Sequence, residues 1–234
     1  MGGKNMEKFL PVLQRSPLFA GISEQDMETM LDCLGAVERK FSRGEAVLRA
    51  GEPARWLGVV LSGRLQVCRE DREGRRTVLS SVPPAGIFGE AHACAGTAAL
   101  PVSVWAVEDS GVLLLDIARV VGTCPSSCTF HSRLVTNLLS VLAGKNILLS
   151  AKLEHVSQRT IREKLLSYLN AQAALAGSDT FAIPFDRQAL ADYLCVDRSA
   201  LSRELSALRR EGILEAEKNR FRLLGQGEKI SPHM

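Results

Sequence analysis

The chain lacks any uninterrupted apolar run near the roughly 18 residues that a bilayer span needs. Its opening Met1-Gly2-Gly3-Lys4-Asn5-Met6 has neither a secretory apolar core nor the hydroxyl residue of a myristoylation signal. A cytoplasmic protein with no membrane partner is expected. A CxxC pair is also lacking. Six cysteines (Cys33, Cys68, Cys94, Cys124, Cys128 and Cys195) are scattered through 234 residues, enough chain to fold without covalent staples, so reduced thiols are expected. Repeats and low-complexity segments are absent. No glycine-rich phosphate loop opens a helix, no nucleophile–base pair stands out, and no His/Asp/Glu cluster has metal-ligand spacing. The sequence therefore does not read as an enzyme, implies no metal site and names no cofactor. A strong charge excess is missing too. With 29 Lys+Arg against 26 Asp+Glu, the net charge of +3 makes any nucleic-acid-binding surface a local one.

A hydrophobic fraction of 46% over this length suits two modest cores. Residues 23–34 carry apolar side chains at Met27, Met30, Leu31 and Leu34 behind Ser23, which predicts a short capped helix. From about 36 to 116 the pattern changes to short apolar runs such as Trp56-Leu57-Gly58-Val59-Val60-Leu61 and Val112-Leu113-Leu114-Leu115. Glycine-, proline- and aspartate-containing turns separate them at strand spacing, the signature of a β-sandwich or small barrel. Residues 129–156 hold no proline and predict one long helix. Its apolar surface is too wide for a single stripe, so it is expected to pack on its own domain and on a second copy.

The last third reads as two short helices and a hairpin. Ser157 is expected to cap a helix running past Tyr168, Phe181-Ala182-Ile183 is short and extended, and Asp186 and Asp197 cap helices with Leu190 and Leu194, then Leu201, Leu205 and Leu208, inward. Beyond Gly212, two apolar runs flank Lys218-Asn219 as a β-hairpin wing. Two helices joined by a tight turn, the second amphipathic with polar and basic residues outward, form the arrangement that fits a DNA major groove. Arg198, Ser199, Ser202 and Arg203 face outward near the start of the second helix, where an arginine can donate two hydrogen bonds to guanine, worth about 1–3 kcal/mol of discrimination. Arg187, Gln188, Lys218 and Arg220 are placed to meet phosphate and to position rather than specify. Duplex DNA is the expected partner.

These features together resemble the cyclic-AMP receptor protein and fumarate-nitrate regulator (Crp/Fnr) family, over essentially the whole chain. The resemblance rests on Leu61-Ser62-Gly63-Arg64-Leu65 and Gly86-Ile87-Phe88-Gly89-Glu90 in the glycine-punctuated barrel, on the long helix, and on Asp186-Arg187-Gln188 through Ile213. It implies an α+β protein: an N-terminal β-barrel sensor of the double-stranded β-helix, cyclic-nucleotide-binding-like type (1–128), a dimerisation helix (129–156), a winged helix-turn-helix (157–225) and a flexible tail (226–234). It implies a homodimer that reads a palindrome in response to a small-molecule effector, and contacts RNA polymerase if it activates. Two departures matter. Ser199 stands where many members carry glutamate, so their half-site is not carried over. Cys195 takes a turn position often held by glycine, which predicts a strained or non-left-handed turn.

For the sensor, the resemblance implies effector contacts at Gly89 and Glu90 and, where a bound effector would touch both protomers, at Lys145 and Asn146. Cyclic-nucleotide-binding members follow the Gly-Glu pair with an arginine that holds the cyclic phosphate. Here the matching positions are Leu100-Pro101, with no cation and no amide proton at the proline, so a cyclic nucleotide is not the expected effector. The alternative is a haem- or redox-sensing regulator of the same fold. His92 and Cys94 would share one face of a strand, His131 lies near the long helix, and Cys124 and Cys128 form a candidate redox pair. The mechanism expected is a population shift that rotates the DNA-binding domains about a hinge at residues 155–157.

Overall fold

Pro11 lies in the first turn of α1 (Leu10–Leu13), where a missing amide proton costs nothing, and the Ser23 hydroxyl accepts from the Asp26 amide to start α2 (Glu24–Cys33) as the sequence predicts. The computed structural model describes residues 7–71, 73, 75–122 and 129–224. The Cys124 and Cys128 pair and the proposed tail lie outside these residues. The chain forms two units, divided between Gly144 and Lys145.

In the first unit the strands are β1 (Val37–Phe41), β2 (Ala46–Leu48), β3 (Trp56–Ser62), β4 (Leu65–Glu70), β5 (Arg76–Val82) and β6 (Ile87–Phe88). After the five-residue α3 (Glu90–Cys94) come β7 (Ser103–Ala106), β8 (Ser110–Asp116) and α4 (Ile117–Val121). They make two four-stranded antiparallel sheets, β1-β8-β3-β6 and β2-β7-β4-β5, the jelly-roll version of the expected barrel. The central strands β3 and β8 are buried on both faces, which is why they read as continuous apolar runs rather than alternating ones. Val60, Val112 and Leu114 point into the core between the sheets. Leu57, Val59, Leu113 and Leu115 point the other way, into a second core shared with α1, α2 and the start of the long helix.

That helix, α5 (Thr129–Val156), buries Leu134 and Leu138 in the second core. A count of uninterrupted apolar residues overlooks it, yet over Phe130–Val156 it is long and apolar enough by length and composition to cross a membrane, the one such helix among the described residues. The difference arises because Arg133, Asn137 and Lys145 interrupt the run without greatly lowering its mean hydropathy.

In the second unit α6 (Ile161–Ala176) is started by Thr160, not by Ser157. The Thr160 hydroxyl accepts from the Glu163 amide at 3.1 Å and the Glu163 carboxylate accepts from the Thr160 amide at 3.0 Å, a complete capping box, while the Ser157 hydroxyl donates back to the Glu154 carbonyl. After β9 (Thr180–Ala182) follow α7 (Arg187–Leu194), α8 (Arg198–Arg210), β10 (Leu214–Glu217) and β11 (Arg220–Leu223), with β10-β11-β9 as a small antiparallel sheet. Leu190, Leu194, Leu201, Leu205, Leu208 and Phe221 fill the core. His155 stands at the expected hinge. Its ring is buried, meets Tyr168 edge-on, and bonds through Nδ1 to the Ser167 hydroxyl at 2.8 Å, tying the end of α5 to α6. Burial pushes its pKa below the ordinary imidazole value and pushes the Tyr168 phenol up to about 12.

Candidate nucleic-acid interface and sensor

Two aspartates start α7 and α8. Asp186 Oδ1 accepts from the Ala189 amide at 2.8 Å and Asp197 Oδ1 from the Ala200 amide at 2.9 Å, each satisfying an otherwise unpaired helix-start donor. Cys195, between them, lies in the left-handed region at φ 53° and ψ 53°. Of the two expectations for this residue the strained one holds and the non-left-handed one does not. A side chain there costs about 1 kcal/mol, and the amides of Cys195 and Val196, bonded back to Asp192 and Ala191, offset it.

On α8 the core leucines leave Ser199 and Arg203 on the opposite face, and Arg198 and Ser202 on the flank toward α7 and the wing. All four are exposed. A cleft of about 610 Å³ opens at that flank, lined among others by Arg187 and Gln188 from α7, Arg198 from α8, and Lys218 and Asn219 from the wing turn. Four of the eight residues expected at DNA thus converge on one cavity from three elements. Ser199, Ser202, Arg203 and Arg220 lie outside it. The serine hydroxyls are engaged locally, Ser199 with Asp197 and Ser202 with the Arg198 carbonyl at 2.9 Å, and Gln188 donates to Asp192 at 2.9 Å.

Arg187 is half-buried with its guanidinium 5.1 Å from the centre of the Phe221 ring, and burial together with nearby Arg209 pushes its pKa below the usual arginine range. The cleft concentrates positive charge that an anion would relieve. Sequence reasoning passed over Arg209, Phe221 and Asn219. Arg209 was detectable, because eleven residues is three helical turns and returns it to the flank of Arg198. Asn219 was not: its Nδ2 donates to the Ile183 carbonyl and its own carbonyl accepts from the Ile183 amide, a contact across 36 residues that shapes the wing turn. The far end of α8 is held by Arg162, which pairs with Glu211 and reaches Glu204 at 3.6 Å.

In the first unit, Gly89 sits at φ 78°, and a Cβ there would meet the Trp56 carbonyl oxygen at 2.5 Å, so packing alone requires glycine. Glu90 is buried. Leu100 is 5% exposed in the core between the sheets, with its amide on the Glu52 carbonyl. A cavity of about 360 Å³ in this unit is lined by Val47, Leu48, Trp56 and Leu114 with Arg39 and Glu52, and Gly89 and Glu90 are not among its lining residues. Lys145 and Asn146 are exposed on α5 in the other unit, with Asn146 Oδ1 accepting from the Ser150 hydroxyl at 3.2 Å.

The shared strand face expected of His92 and Cys94 does not form. His92 and Cys94 lie on helix α3 rather than a strand, so a two-residue step turns them to different faces. His131 is a core residue bonded through Nε2 to the Val120 carbonyl at 2.8 Å, and no cluster of three metal-binding side chains occurs among the described residues. Burial, with Glu90 beside it, pushes the Cys94 thiol up, away from reactive thiolate character.

A jelly roll followed by a long helix and a winged helix-turn-helix defines a class of sensor-linked transcription regulators. Family models agree with both ends: residues 38–124 match the cyclic nucleotide-binding domain and residues 163–225 the Crp-like helix-turn-helix domain. The chain is 27% identical over 194 residues to the transcriptional activator protein FnrL of Cereibacter sphaeroides, covering 78% of this chain and 74% of that protein. It is 30% identical over 79 residues to the CRP-like cAMP-activated global transcriptional regulator of Mycobacterium tuberculosis, a match that spans 34% of either chain. The solved structure of CprK complexed with OCPA superposes with a TM-score of 0.60 at 15% identity, covering 85% of this chain and 90% of that one, which speaks for the fold. The chain belongs to the Crp/Fnr family of transcription regulators.

Proposed function

We propose that this regulator binds palindromic duplex DNA as a homodimer in the cytoplasm, under control of a small-molecule effector that is not a cyclic nucleotide. One observation carries the DNA reading: Arg187, Arg198 and Lys218 converge from two helices and a wing on one cleft beside the exposed face of α8. In this reading Arg187, Gln188 and Lys218 in the cleft grip phosphate, Arg198 at the cleft joins Ser199, Ser202 and Arg203 in reading base edges, and Arg220 adds a backbone contact from the wing. Residues 1–128 are the sensor, 129–156 the dimerisation helix and 157–225 the DNA-binding domain, with RNA polymerase as a further partner at promoters that are activated. Leu100 in place of a cation supports the choice against cyclic nucleotides, since a buried phosphate without a counter-charge is costly. Gly89, Glu90, Lys145 and Asn146 are the proposed effector-side residues.

The test is a gel-shift titration against genomic fragments at several salt concentrations, followed by footprinting. The expected result is a steep fall of affinity with salt and a two-fold symmetric footprint. Salt-insensitive binding, or protection without symmetry, would overturn the reading.

A further inference from the structure

The cavity of about 360 Å³ in the first unit is lined from the edge strands of both sheets, β1 and β2. Its volume falls in the range of small-molecule sites, about 300–1,000 Å³. Side chains alternate along a strand, so Val37, Arg39 and Phe41 share the face of β1 that lines the cavity, which sets a cation between two apolar residues. The buried Val47, Leu48 and Leu114 and the half-buried Trp56 complete an apolar wall.

Arg39 is the one cation among the lining residues. It is exposed, and its guanidinium has no ion pair or hydrogen bond among the described residues. Glu52, the one anion of the lining, is turned to its own loop, where Oε2 accepts from the Arg49 amide at 3.1 Å. Arg55 lies over the Trp56 ring at 4.7 Å, but Asp116 neutralises it at 2.6 Å.

Apolar walls beside a single unpaired guanidinium select an apolar body that carries one negative charge. A carboxylate presents two oxygens to the planar fork of an arginine, and such charge-assisted bonds are stronger than neutral ones. A cyclic nucleotide suits the cavity poorly, because its ribose hydroxyl and base edges would face valine, leucine and phenylalanine without partners. An amine would meet Arg39 as a like charge. The lining excludes Gly89 and Glu90, yet it touches their turn: a Cβ at Gly89 would lie 2.5 Å from the Trp56 carbonyl oxygen and 3.5 Å from Leu48 Cδ1.

We propose that this cavity binds a small apolar monocarboxylate, with Arg39 holding the carboxylate and Val47, Leu48, Trp56 and Leu114 enclosing the apolar body. The inference goes beyond the proposed function, since it requires neither that this ligand be the effector nor that DNA be bound.

The chain has two tryptophans, so the full chain carrying Trp105→Phe reports from Trp56 alone. Octanoate and 4-phenylbutyrate are titrated against it, with octanol and octylamine as neutral and cationic counterparts. The expected result is a saturable blue shift of Trp56 emission with both carboxylates, at least about tenfold tighter than with octanol, and none with octylamine. Arg39→Met in the same background keeps an unbranched stem and removes the charge. It is expected to bring octanoate affinity down to that of octanol and to leave octanol binding unchanged, which also shows the cavity intact. Arg39→Lys is expected to keep the preference for carboxylate over octanol. Should Arg39→Met lose octanol binding as well, Arg39→Lys decides: retained preference supports the site, and its loss overturns it. The proposal is also overturned if neither carboxylate gives a saturable shift, if octanol or octylamine binds as tightly as octanoate, or if Arg39→Met leaves octanoate affinity as it was.

Discussion

Arg187 lies over the Phe221 ring at 5.1 Å, so a charge from the first residue of α7 is braced by the wing strand β11 rather than by its own helix. No carboxylate pairs with it among the described residues, and Arg209 adds repulsion. Replacing it with methionine keeps the apolar contact and removes the charge. Binding to all duplex sequences is expected to weaken alike, and the slope of log affinity against log salt to fall by about one. A loss confined to one base sequence would contradict the positioning role.

Arg198→Ala and Arg203→Ala should behave differently. Each is expected to cost about 1–3 kcal/mol at the preferred site and to relax preference at one base-pair position per half-site, with non-specific binding changed less. Folding should be unaffected, because both side chains are exposed opposite or beside the leucine face. Competition among single-base operator variants measures this. Uniform loss across all variants would reassign the residue to phosphate.

Addition of cyclic AMP or cyclic GMP at about 1 mM is expected to leave the thermal unfolding of the chain unmoved, since a ligand stabilises only in proportion to its binding. Leu100 is the reason: it is packed among Val47, Leu48, Phe88 and Val104 and offers the phosphate nothing. A rise of several degrees would show that another cation, such as the Arg39 that lines the cavity, holds the phosphate.

His155 ties stability to pH. Its folded pKa is lowered by burial, against a smaller opposing effect of Glu154, so the unfolded chain binds the proton more readily than the folded one. The contribution is complete above the ordinary imidazole value of about 6.5 and is lost as pH falls below it toward the lower folded value. Urea unfolding followed by far-ultraviolet circular dichroism should show a loss between pH 7.5 and 5.5 that shrinks in His155→Phe. An equal loss in both proteins would place the acid sensitivity elsewhere.

Thr160→Ala removes the serviced end of α6, at an expected cost of about 1 kcal/mol. Ser157→Ala should cost little, as its hydroxyl bonds only the Glu154 carbonyl. Paired denaturation curves separate the two, and a larger effect at Ser157 would refute the cap assignment.

What the sequence made legible was local. Ser23, Asp186 and Asp197 announce helix starts because a cap and its amide lie within three residues, and β3 and β8 announce themselves because both faces are buried. β1, β2 and β6 escaped notice: two are very short, and Val37-Glu38-Arg39-Lys40-Phe41 looks like surface because its strand sits at a sheet edge. Ser157 and Thr160 competed for the same cap, and only Glu163, three residues beyond Thr160, decides between them. His92 and Cys94 were misjudged by period, a two-residue step meaning opposite things in strand and helix. The side chains proposed to face DNA were individually readable, while the wing turn that brings Lys218 to the cleft with Arg187, Gln188 and Arg198 is shaped by the Asn219–Ile183 pairing, which no window of sequence contains.

The three leucines of α8 make that helix's buried core contacts, while the side chains of Arg198, Ser199, Ser202 and Arg203 are exposed. The four outward letters are consequently free to drift. If these four read bases as proposed, duplicated copies of this gene could diverge to new operators by changing them while the leucine face beneath stays as it is.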